Sequence, residues 1–159
     1  MYKKILVPHA GTLAGDDALK HAVPIAKSSK AKILILHVIE DDPYSYIGFQ
    51  LDPSEVKSIR RKLQEEHRKI KALMKKEMLK RVKFCAKNKV KAELKISTGF
   101  PEGEILEIVK NQKIDLIVMA KRKKLKGIKR LMVLGSVSRR ILEHTSCPVL
   151  MIDIESSKR

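Results

Sequence analysis

Ile114-Asp115-Leu116-Ile117-Val118-Met119, then a lysine-rich loop, Gly135-Ser136-Val137-Ser138, Ile141-Leu142 and Cys147-Pro148-Val149-Leu150-Met151-Ile152 make up the last quarter of this chain. Their order reads strand, loop, helix, strand. Gly135 and Ser136 fall where the helix begins, so the first backbone N–H groups and the positive end of the helix dipole would face outward, suited to an anion such as a phosphate. A Gly-Ser pair also serves as a plain turn and N-cap, so taken alone it leaves both readings open.

Working outward, the same alternation fills the rest of the chain. Lys4 to Val7 is a short apolar strand stopped by Pro8 and followed by a turn at Gly11-Thr12. Leu19, Ala22, Val23 and Ala26 recur at helical spacing, with Asp16 or Asp17 as the expected cap and a bend expected at Pro24. Ala31 to Val38 is nearly continuous in apolar residues, the signature of a strand covered on both faces of a parallel sheet. Asp41-Asp42-Pro43 ends it, and Tyr44, Tyr46 and Phe49 follow on an expected loop. An extended helical segment is predicted over about 52–88, opened by Asp52-Pro53-Ser54-Glu55. Its stripe of Ile59, Leu63, Ile70, Leu73, Met74, Met78, Val82 and Cys85 is interrupted by His67. One long helix covering a sheet therefore fits better than a coiled coil. Val90 to Ser97 alternates apolar and charged residues, as a half-exposed strand near a sheet edge does. Glu102 to Asn111 reads as a short helix. The succession is the grammar of a doubly wound α/β fold, in which ligands bind beyond the carboxyl ends of the strands, where strand order reverses.

The chain has 159 residues with 43% hydrophobic content, enough for one core, so a single domain over 1–153 with a polar tail at 154–159 is expected. No stretch approaches the roughly 20 apolar residues of a membrane span, and no signal-peptide core forms before Pro8-His9. A cytoplasmic protein not integral to a membrane is expected. Cys85 and Cys147 sit in apolar surroundings as free thiols, and the five histidines show no metal-ligand spacing. No nucleophilic triad or converging carboxylate pair is apparent, which points away from an enzyme. The formal charge of +17 predicts attraction to polyanions. It concentrates in Lys57 to Lys95 and in the run from Lys121 to Arg130. Neither carries interleaved aromatics or a reading head for nucleic acid, so any such binding would be nonspecific and salt-dependent.

Lys3-Lys4-Ile5-Leu6-Val7-Pro8, Leu36-His37-Val38, Thr98-Gly99-Phe100-Pro101, Asp115 to Met119, Gly135-Ser136-Val137-Ser138 and Cys147-Pro148-Val149-Leu150 occur in order, and this set resembles the universal stress protein family. The resemblance covers the chain apart from the lengthened segment between Asp41 and Asn88. It implies an adenine-nucleotide alpha hydrolase-like sheet of five parallel strands in the order 3-2-1-4-5. It also implies a homodimer joined through the last strand, Pro148 to Ile152 here, and a regulatory stress-response module with an unknown protein partner.

The family's ATP binders resemble one another in Gly-x2-Gly-x9-Gly-[Ser/Thr] and in an Asp after the first strand. Here only Gly135-Ser136 is intact. Counting back puts Leu125 and Arg122 at the two glycine positions; aligning the strand end instead puts Ala120 and Lys123 there. Ala10 replaces the Asp. Lost glycines would close a backbone phosphate cradle, whereas Lys121 to Lys124 could grip phosphate by side-chain charge. If ATP or AMP binds, the resemblance implies Pro8, His9, Ala10 and Val38 around base and ribose. Met119, Ala120, Gly135, Ser136, Val137 and Ser138 would surround the phosphates, with Lys123 as a substitute clamp. His9 and His37 also read as hydrogen-bonded structural histidines. Magnesium is not assigned, and at most weak ATP hydrolysis is expected. The alternative is a basic polyanion-binding protein, with nonspecific nucleic acid or an acidic protein as partner, that has lost nucleotide binding.

Overall fold

The computed structural model describes residues 1–40, 53–121 and 135–153, with the backbone alone for 53–56. The aromatic segment, most of the second basic run including Arg122, Lys123 and Leu125, and the tail lie outside the described residues. Five strands alternate with four helices: β1 (Lys4–Pro8), α1 (Leu13–Ser29), β2 (Lys32–Ile39), α2 (Pro53–Lys87), β3 (Ala92–Thr98), α3 (Pro101–Asn111), β4 (Leu116–Ala120), α4 (Ser136–His144) and β5 (Val149–Ile152). All strand pairs are parallel and the order is β3-β2-β1-β4-β5.

Two-residue periodicity sorts the strand side chains into two cores. Ile5, Val7, Ile33, Ile35, Leu116 and Val118 point to the side covered by α1 and α2. Leu6, Leu34, Leu36, Ile117 and Met119 point to the side of Ile105 and Ile108 from α3 and Ile141 from α4. Ile141 is fully buried, and its burial contributes about 1.5–3 kcal/mol towards holding the short α4 on the sheet. β3 lies at a sheet edge with the alternating exposure that Val90 to Ser97 foretold.

Asp16 does not cap α1. The N-cap is Thr12, whose side-chain oxygen accepts from the Gly15 N–H at 3.4 Å, and Asp16 falls in the first turn with its carboxylate turned to other partners. The helix runs on through Pro24, which is exposed. It ends at Lys30 in the left-handed conformation (φ 56°); Lys89 (φ 61°) and Lys113 (φ 50°) do the same just beyond α2 and α3.

At 35 residues, α2 is about 52 Å long, against about 23 Å for seven-residue β3. Met78 and Cys85 are buried against the sheet, with Val82 packed beside them. His67 faces the sheet as well, its Nε2 lying 3.3 Å from Thr98 Oγ1 at the carboxyl end of β3. The turns of α2 that precede His67 therefore extend past the strand tips. Among the described residues, no helix is long and apolar enough to cross a membrane.

Candidate functional site at the strand tips

Strand order reverses between β2-β1 and β4-β5, so the switch point, where sheets of this kind take their ligands, falls between the tips of β1 and β4. The His9 N–H continues the β1 ladder to Leu36 O at 2.8 Å, and Lys121 N–H bonds Ile152 O at 2.9 Å. These bonds set Pro8-His9-Ala10 on one wall and Met119-Ala120-Lys121 on the other. Val38 pairs with Ser97 near the tip of β2. Pro8 and Val38 are half-buried, Ala10 is exposed, and Met119 is buried with Ala120 half-buried beside it.

Gly135 is the N-cap of α4, with extended backbone (φ −59°, ψ 156°) and no side-chain hydrogen bond capping the helix. Among the described residues, a Cβ there would meet nothing within 4 Å. Ser136 is exposed, Val137 half-buried and Ser138 buried. A glycine N-cap offers no side-chain acceptor of its own to the first-turn N–H groups, an arrangement that together with the helix dipole suits an anion. On the other wall, Lys121 Nζ stands 3.6 Å from Asp153 Oδ2.

His9 is 1% exposed and both its ring nitrogens are engaged. The Gly11 N–H donates to Nδ1 at 3.0 Å, which makes Nδ1 an acceptor and fixes the neutral tautomer with its proton on Nε2. That proton is donated to Asp16 Oδ1 at 3.0 Å. The His9 carbonyl in turn accepts from His37 Nδ1 at 2.8 Å. Burial lowers the His9 pKa, and it prevails over the stabilising bond and charge of Asp16. Arg81, reaching from α2, closes the network with Nε 2.9 Å from Asp16 Oδ1 and Nη2 3.2 Å from Oδ2. Burial pushes the Asp16 carboxyl up. The Arg81 bond and charge, followed by those of His9, outweigh it and hold Asp16 below the usual carboxylate range. Gly15 makes room for this arrangement, since a Cβ there would stand 2.8 Å from His9 Cε1 and Nδ1.

Asp16, Gly15, Thr12 and Arg81 are the residues near this site that sequence reasoning passed over. The His9–Asp16 separation of seven residues bridges a strand end and the first turn of a helix, a signal that could have been weighed. Arg81 lies 65 positions from Asp16 and had none.

An open concavity of about 700 Å³ lies at the opposite end of the sheet from the strand tips. Cys147, His144 and Asp115 are among its lining residues. Burial, and then the charge of Asp115, push the Cys147 thiol up, which disfavours a thiolate nucleophile. Asp115 is itself occupied, accepting the Lys3 and Lys4 N–H groups at 2.7 and 2.8 Å.

A five-stranded parallel sheet in the order 3-2-1-4-5, flanked by helices and shared with the solved structures it superposes on, is the adenine-nucleotide alpha hydrolase-like class of α/β fold. Within that class the chain belongs to the universal stress protein family, whose model matches residues 1–153. It is 35% identical over 153 residues to a universal stress protein of Methanocaldococcus jannaschii, covering 96% of this chain and 82% of the relative. It is 34% identical over 157 residues to universal stress protein YxiE of Bacillus subtilis, covering 96% and 99%. A solved structure of another M. jannaschii universal stress protein superposes with TM-score 0.76 at 27% identity, over 96% of each chain. More remote structures of the same fold include a universal stress protein in complex with cAMP (TM-score 0.65, 19% identity, 96% and 97% covered). Another is an Arabidopsis thaliana family member with AMP bound (TM-score 0.59, 22% identity, 98% and 94% covered).

Proposed function

We propose that this protein is a regulatory universal stress protein module that takes an adenine nucleotide, AMP or ATP, at the switch point between the tips of β1 and β4. The observation that carries this reading is the start of α4: among the described residues, nothing lies within 4 Å of a Cβ placed on Gly135, and this N-cap makes no side-chain bond to the first turn. Phosphate would sit against the N–H groups of Ser136, Val137 and Ser138, flanked by Met119 and Ala120. Pro8, Ala10 and Val38 would line base and ribose. His9, with both ring nitrogens engaged internally, would shape the wall through its backbone and hold the turn at Gly11. Lys123 would supply the cationic contact that the missing glycines of the motif no longer make. The cAMP and AMP complexes of structural neighbours support an adenine ligand. The protein would work as a homodimer through β5, an edge strand whose Leu150 is 36% exposed.

A thermal-shift panel with ATP, ADP, AMP and cAMP tests the ligand. A nucleotide at about a hundred times its Kd stabilises the fold by roughly 2.7 kcal/mol, an unmistakable rise in Tm. Gly135→Glu, which puts a carboxylate into the phosphate seat, should abolish the rise. Flat responses to all four nucleotides would remove the reading. Light scattering on the eluting protein, compared with Leu150→Lys, reports the dimer.

A further inference from the structure

The long helix carries a second apolar line that the sheet does not use. Ile59, Leu63, Ile70, Leu73 and Phe84 are 36–61% exposed, while Met78 and Cys85 on the neighbouring line are buried. Together with Glu66, Glu77 and Lys80, the exposed residues complete an unbroken four-three repeat: 59, 63, 66, 70, 73, 77, 80, 84. At about 100° per residue these positions form one narrow stripe, the pattern of a two-stranded coiled-coil seam. His67 does not interrupt it, because His67 belongs to the sheet-facing side.

The borders of the stripe state what could cover it. Lys62, Lys69, Lys76 and Lys83 recur every seven residues along one edge, each immediately before a seam position. All four are exposed. The other edge holds Arg60, His67, Met74 and Arg81, of which His67 and Arg81 are turned inward to Thr98 and Asp16. Across α2 there are thirteen Lys and Arg against four Glu. A second copy of α2 would bring like charges together along the whole seam, so self-pairing is disfavoured. A lipid surface would accept the lysines but not Glu66 and Glu77, whose carboxylates lie in the middle of the stripe and would lose water in hydrocarbon. Both already hold a lysine on their own helix, Lys69 at 2.8 Å and Lys80 at 2.8 Å. In a helix–helix seam such buried polar positions fix register.

We propose that this face of α2 is a docking surface for an acidic amphipathic helix of another protein. That helix has apolar seam residues, Asp or Glu opposite the lysine column, and a cation facing each of Glu66 and Glu77.

The test uses the full chain and a fluorescein-labelled synthetic peptide of about four heptads, with a Leu/Ile seam, Glu at the flanking positions and Lys at the two places facing Glu66 and Glu77. Anisotropy should saturate with a Kd of about 10 µM or tighter in about 50 mM salt, and weaken at least tenfold in about 300 mM salt. Ile70→Asp/Leu73→Asp, both at exposed positions, should keep the circular dichroism spectrum and lose at least tenfold in affinity. Lys62→Glu/Lys69→Glu/Lys76→Glu should lose the acidic peptide and gain a Lys-flanked counterpart. Equal affinity for a peptide of scrambled order would mean charge attraction without a seam and would overturn the proposal. So would sedimentation with phosphatidylglycerol vesicles in the absence of peptide binding, a self-association abolished by Leu73→Asp, or no binding at all.

Discussion

Replacing Arg81 by Met keeps the aliphatic stem against the sheet-facing side of α2 and removes the guanidinium that clasps Asp16. Two charge-assisted bonds of 2.9 and 3.2 Å are lost, from side chains 17% and 29% exposed. Bonds to charged groups contribute about 1.5–3 kcal/mol each when well buried, and partial solvent screening discounts this pair to about 2 kcal/mol in total. For a domain of this size that is a fall in Tm of about 4–8 °C, read by calorimetry or urea unfolding. The loss has a pH signature. Arg81 holds the Asp16 carboxyl below its ordinary pKa, so the native protein keeps that contribution above the ordinary value of about 3.9 and loses it as pH falls through the lower, folded value. Without Arg81 the folded value moves back towards the ordinary one, so the acid-side loss of stability becomes smaller and is complete at higher pH. A double-mutant cycle with Asp16→Asn should give a coupling of at least about 1 kcal/mol. A Tm within about a degree of the native protein, together with strict additivity in the cycle, would refute the assignment of this contact as the tie between α2 and the strand-tip wall.

Gly15→Ala forces a methyl against a His9 ring held on both sides and should cost about 1–2 kcal/mol after the gain in helix propensity. Gly103→Ala in α3 meets nothing within 4 Å and should stabilise by about 0.5–1 kcal/mol, so urea titrations of the two variants should move in opposite directions. His9 is kept neutral by burial, so its contribution is complete above the ordinary histidine pKa of about 6.5 and is lost as pH drops through the lower, folded value. Tm measured from pH 7.5 to 5.5, alongside an NMR titration placing the His9 midpoint below about 6.5, checks this. Cys85 is fully buried, with its thiol pushed up to about 11, whereas Cys147 is partly accessible. A thiol reagent should therefore modify one equivalent in the native protein and the second only at the rate of opening.

The sheet was legible because its strands are apolar on both faces: Ile5 and Leu6 serve opposite cores, and so do Leu116 and Ile117. Charged alternation in β3 marked an edge for the same reason. The start of α4 was legible from Gly135-Ser136, since glycine and serine are both favoured at helix N-termini and an amphipathic turn follows them. The cap of α1 was misplaced because Asp16 is as good a capping residue as Thr12. What separates them is the carboxylate's commitment to His9 and Arg81, and the Arg81 contact, 65 positions away, leaves no local trace. In the sequence His67 reads as a flaw in one apolar stripe because a helix with two stripes, one on the sheet and one exposed, superimposes their periods.

Three lysines in left-handed backbone just beyond α1, α2 and α3 bear on how the protein could be re-engineered. A β-carbon in that conformation costs about 1–2 kcal/mol, which glycine avoids while forfeiting about 0.5–1 kcal/mol of chain entropy. A cation near a helix carboxyl end returns about 0.3–1 kcal/mol. The terms nearly cancel, so Lys30, Lys89 and Lys113 are places where isoelectric point can be tuned with little change in melting behaviour. Glycine at all three would lower the formal +17 by three units and leave the rim, the sheet and the α2 lysine column untouched.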